Sequence, residues 1–151
     1  MRTEIALRRL TEHQARVLAQ TETACAMLDA GPEAGRGGLA RVRWTLSRLL
    51  REYQLFKHGE IFDPAIAHGT PAQAALARRM KANCVAAGEH YARHVSRWSA
   101  QDVAGQWNAY GKAVRAIVDE IRTHLARERR DVERFLAGSA RTRRLAPPIT
   151  S

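Results

Sequence analysis

Four long stretches of this chain carry apolar side chains every three or four residues, and none alternates apolar with polar residues as a half-buried strand would. A chain whose only apolar surfaces are helix faces must bury helix against helix. Val103, Trp107, Tyr110, Val114, Ile117, Ile121, Leu125, Val132 and Phe135 share one face of the last stretch. Leu7, Leu10, Val17, Leu18, Thr21, Ala24 and Leu28 do so in the first. The second presents Val42, Leu46, Leu49, Leu50, Tyr53 and Phe56, and the third Met80, Cys84, Ala87, Tyr91, Val95 and Trp98.

Breaker residues divide these stretches. The strongest break is the run from Gly31-Pro32 to Gly37-Gly38. His68-Gly69-Thr70-Pro71 is the second, with Thr70 placed to cap a helix and Pro71 at its first turn. A softer break at Trp98–Asp102 makes Ser99 a candidate cap, and Gly138-Ser139 is expected to end the last helix. The segments are then about 3–29, 38–62, 71–98 and 100–137, which predicts an all-α fold, an antiparallel up-down-up-down four-helix bundle. Residues 1–138 form the expected domain, and 139–151 a basic, disordered tail.

Polar residues that fall on the apolar stripes carry the functional information. Glu128 sits in the middle of the last stripe and His124 at its edge, at i and i+4, so their side chains reach one point. A buried carboxylate is costly without a partner, so something cationic must face Glu128: a metal, a charged His or an Arg. His13 lies at the margin of the first stripe. Glu60 continues the second, whereas His58 points away if the helix stays regular, and the intervening Gly59 leaves that regularity open. His94 lies at the edge of the third stripe and His90 further round. At about 1.5 Å of rise per residue, His13, His58, Glu60, His124 and Glu128 can be level. His90 joins them only if the third helix starts near Arg78; a start at Pro71 makes Asn83 or Cys84 the level residue.

The stretches Thr11-Glu12-His13-Gln14, Phe56-Lys57-His58-Gly59-Glu60-Ile61-Phe62-Asp63-Pro64, His90-Tyr91-Ala92-Arg93-His94 and His124-Leu125-Ala126-Arg127-Glu128 resemble, in order and spacing, the hemerythrin-like (HHE cation-binding) family. The resemblance implies a core site of two irons held by imidazoles and bridged by carboxylates, with an open position for oxygen or nitric oxide. Carried onto this sequence, the ligand set is His13, His58, Glu60, His90, His94, His124 and Glu128. The chain departs from the family on the second helix, where Phe56 stands four residues before Glu60 and Gln54 four before His58. One non-haem iron, an altered pair or no metal at all are therefore open.

Three function classes follow, the third being nonspecific nucleic-acid binding through the basic last helix and tail. The first is a metal-binding protein that senses, carries or stores oxygen, nitric oxide or iron. The second is a metal-free degenerate bundle acting as a regulatory interaction module. The chain has 25 Lys and Arg against 15 Asp and Glu, a net charge of +10, which suits an acidic protein partner. No groove-reading motif or interleaved aromatic pattern supports specific nucleic-acid recognition. No apolar run approaches a membrane span and no secretory leader is visible, which together with Cys25 and Cys84 inside helical patterns suggests a cytoplasmic protein with reduced thiols. No nucleophile–base–orienter set points to a hydrolase or transferase. Trp98, Trp107 and Tyr110 read as core packing at the far end.

Overall fold

The computed structural model describes residues 3–145. The described residues are helical almost throughout, without strands. Four long helices, α1 (Thr3–Asp29), α2 (Pro32–Lys57), α4 (Pro71–Ser99) and α5 (Trp107–Leu145), are joined by short connections; the brief α3 (Asp63–His68) follows α2. No helix among the described residues is long and apolar enough to cross a membrane.

The stripe spacing is what each helix buries. In α1 the buried positions are Ala6, Leu10, Gln14, Val17, Thr21, Ala24 and Leu28. In α5 the apolar stripe from Tyr110 through Ile117, Ile121 and Leu125 to Phe135 is buried, with Glu128 in its midst. One cluster gathers Leu10, Tyr53, Phe62, Met80, Ile121, Leu125 and Val132; a second gathers Leu28, Val42, Trp98, Tyr110, Val114 and Val118. Trp98 and Tyr110 pack tilted, ring centroids 5.1 Å apart, so these aromatics serve the core as expected.

Several boundaries differ from the sequence expectation. The glycine-rich run breaks the chain only at Gly31, whose φ of 88° favours a residue without Cβ; Pro32 then opens α2 and the remaining glycines are helical. Close approach explains part of this: a Cβ on Gly35 would collide with the Met27 carbonyl of α1, and one on Gly38 with the Met27 sulfur. At the other end α5 does not stop at Gly138-Ser139 but continues to Leu145, and the rest of the expected tail, 146–151, lies outside the described residues. Ser99 ends α4, its Oγ donating to the Val95 carbonyl at 2.6 Å, while Asp102 Oδ1 accepts from the Gly105 N–H at 3.2 Å before α5 begins. Thr70 does cap α4, accepting from Gln73 N at 3.2 Å, with Pro71 in the first turn.

Between α2 and α3 the chain makes a π turn, His58–Phe62, in which the Asp63 N–H reaches the His58 carbonyl. The extra residue per turn rephases the helix. Ile61 and Phe62 become the buried side chains, and Glu60 turns out to solvent.

The glycines provide a test with opposite signs. Gly37→Ala meets open space and should raise unfolding stability by about 0.5–1 kcal/mol through helix propensity. Gly35→Ala should lower it by about 1–3 kcal/mol, because the α1–α2 contact must open. Denaturant unfolding of the two variants that moved in the same direction would show that α1 and α2 do not approach this closely.

Candidate functional site

Glu128 is 6% exposed, and the cation that faces it is Lys57. The Lys57 Nζ donates to Glu128 Oε1 at 2.7 Å, and the Tyr53 hydroxyl donates to the same oxygen at 2.6 Å. Gln14, buried on the α1 stripe, donates through Nε2 to the Tyr53 oxygen at 2.9 Å and to the Leu125 carbonyl at 3.0 Å. The ammonium also lies 3.8 Å from the centre of the Tyr53 ring, a cation–π contact. Cys84 completes the ring of neighbours; burial pushes its thiol up and the adjacent Lys57 draws it down, with a net rise. Because α4 begins at Pro71, Cys84 is the α4 residue level with the site.

Burial by itself would raise the Glu128 pKa. His124 and Lys57 outweigh it and hold the carboxyl at about 2. His124 Nε2 stands 3.6 Å from Oε2, too long for a direct hydrogen bond, so its help is the charge it carries when protonated, and the Lys57 contact is the firmer hold. Burial and the neighbouring carboxylate push the Tyr53 phenol up, keeping it a donor.

The other expected ligands point elsewhere. His13 stacks on Phe56 at 5.0 Å and Tyr53 at 5.9 Å; burial and the flanking Arg16 and Arg9 lower its pKa. Glu60 is half-exposed and bound to Arg9 at 2.7 Å, carried outward by the π turn. His58 leans on Phe62, its pKa lowered by burial and by Lys81 and Lys57. His90 is exposed and pairs through Nδ1 with Glu120 at 3.0 Å. His94 lies against Tyr91, and burial, then Arg43, hold it down to about 4. Only His124 and Glu128 meet. Among the described residues no three His, Cys, Asp or Glu side chains converge as a metal would require.

The donor set therefore does not fit the two-iron site that the resemblance implies. A divalent ion on Glu128 would share the carboxylate with the Lys57 ammonium, in a buried setting where like charges repel strongly. Lys57 and Gln14 were the residues missed by sequence reasoning. The signal was available: Lys57 lies four residues after Tyr53, and Gln14 sits between Leu10 and Val17 at stripe spacing.

Above this polar cluster, α2 and α4 barely touch, and a cleft of about 810 Å³ opens between α2, α4 and α5. Comparison with family models, curated protein sequences and solved structures finds no match for this chain.

Lys57→Met leaves a buried carboxylate without its cation and should cost about 3–5 kcal/mol in denaturant unfolding. Replacing the pair, Lys57→Met with Glu128→Leu, should cost clearly less than the sum of the single changes; strict additivity would mean that the two groups do not interact.

Acid should act in two stages. The unfolded chain protonates His94 near its ordinary 6.5, while the fold resists until about 4, so stability declines as pH falls through that window. Glu128 ionises at about 2 in the fold against 4.5 ordinarily, so the stability it contributes is fully present above about pH 4.5 and is lost on descent toward 2. His94→Leu should flatten the first decline and Glu128→Gln the second; curves that keep both slopes in both variants would refute the assignment.

Proposed function

We propose that this chain is an up-down-up-down four-helix bundle that works without a core metal, as a module that binds an acidic protein partner. The observation that carries the first half is the Lys57–Glu128 pair. A lysine fixed in the chain holds the carboxylate that a metal would hold in the hemerythrin-like arrangement, and it cannot exchange or open a coordination position.

The outer face of α2 supports the second half. Trp44 is 81% exposed and Leu55 60% exposed. They sit at i and i+11, with Arg48 at i+4 and Arg51 at i+7, so the four share one face; Arg41 borders it. An exposed tryptophan among arginines is the composition of an interface hot spot. Its chemistry suits an amphipathic helix with Asp or Glu beside its apolar residues. The overall charge of +10 would steer such a partner toward the surface.

Anaerobic reconstitution with ferrous iron should leave less than about 0.1 iron per chain. Stoichiometric iron with a visible charge-transfer band would restore the metal reading instead. An acidic amphipathic peptide should blue-shift the Trp44 emission with an affinity that falls as salt rises, and Trp44→Ala with Arg51→Glu should weaken binding by about tenfold or more. Equal binding by the variant would remove this face from the function.

A further inference from the structure

The cleft between α2, α4 and α5 shares Arg51 with the α2 outer face but is otherwise lined by different residues. Leu50, Tyr91, Val95, Ile117, Ile121 and Leu125 make it mostly apolar. At about 810 Å³ it is within the range of sites that hold drug-sized molecules. Its charges come from α2 and α5: Arg51 lies between one and two turns before Lys57 on α2, and the others divide between two ends. Lys57, His124 and Arg127 gather at one end, beside the polar cluster. The carboxylates, Asp119 and Glu120, lie one to two turns away, and Glu120 is already engaged by His90.

We propose that this cleft binds an amphiphile with one carboxylate and an unbranched or cyclic apolar body, of the fatty-acid class. The carboxylate would lie at the Lys57–His124–Arg127 end. There His124 and Arg127 would supply the N–H groups, while the buried Lys57 ammonium, already turned to Glu128, Cys84 and the Tyr53 ring, stands behind them. The apolar body would run along Leu50, Ile121 and Ile117 toward Tyr91 and Val95, covering surface that α2 and α4 leave open. An amine head would meet the cationic end, and an alcohol would forgo the charge-assisted bonds.

The test uses the full chain with dodecanoate, dodecanol and dodecylamine, titrated by calorimetry below their aggregation limits. Dodecanoate should bind saturably at one per chain, about tenfold or more tighter than dodecanol, with dodecylamine weakest. Ala87→Phe places a ring in the cleft and should abolish dodecanoate binding. Arg127→Glu, at an exposed position that should not disturb folding, should lower dodecanoate affinity by about tenfold or more and leave dodecanol unchanged. No saturable binding, equal affinity for carboxylate and amine, or dodecanoate affinity untouched by Arg127→Glu would each overturn the proposal. Arg51 borders both surfaces, so the acidic-peptide titration is compared with this one through Trp44→Ala alone, and either result then stands without the other.

Discussion

A carboxylate in the middle of an apolar stripe must be answered, and the answer to Glu128 organises much of this protein. Lys57 arrives from α2, Tyr53 one turn earlier on the same helix, and Gln14 from α1 joins through the Tyr53 hydroxyl, so one network ties three helices together. Gln14 also satisfies the Leu125 carbonyl, which links the network to the α5 backbone. Each donor is nearly or fully buried; removing Lys57 leaves Glu128 without its cation, and removing Tyr53 or Gln14 takes hydrogen bonds out of the interior. Such a network is weak evidence of net stabilisation, because both charges lost their water. Its stronger effect is on register: a sliding of α2 against α5 by even one turn would bury an ammonium and a carboxylate apart from each other.

The same pair decides the chemistry. An imidazole-and-carboxylate arrangement can host an exchangeable ion, whereas an ammonium bonded to the carboxylate competes with one. The π turn acts in the same direction, because it sends Glu60 to Arg9 and brings Ile61 and Phe62 inward. What remains polar and accessible is then at the edges: Trp44 and its arginines on one side of α2, and the cationic end of the cleft on the other. Both carry basic side chains, and the proposed acidic-helix partner and the proposed small amphiphile rest on that charge.

Much of the fold was legible because its signal is local. Stripe positions such as Leu10, Val17, Ile117 and Leu125 are buried as their spacing requires, and Thr70-Pro71 starts a helix where cap chemistry says it should. The misjudged boundaries, Gly35–Gly38 and Gly138-Ser139, share a cause. Glycine lowers helix propensity by only about 1 kcal/mol, and packing against Met27 outweighs that at Gly35 and Gly38. The site was half legible. Glu128 with its neighbour His124 was visible from periodicity, but the identity of the cation was not, because lysine is ordinarily a surface residue and its stripe position was passed over. Glu60 was misplaced because a regular 100° step was carried through the π turn.

The sequence by itself determined that the chain is helical, which faces are buried, and that a carboxylate lies on one of them, since helical periodicity is a property of neighbours along the chain. Tertiary structure alone decided which cation meets that carboxylate, where the histidines end up and where α4 stands away from α2 to leave a cleft. Those outcomes depend on axial level and on one extra residue in a turn. A shift of a single residue moves a side chain by about 100° around its helix, and so between solvent, a partner and the core.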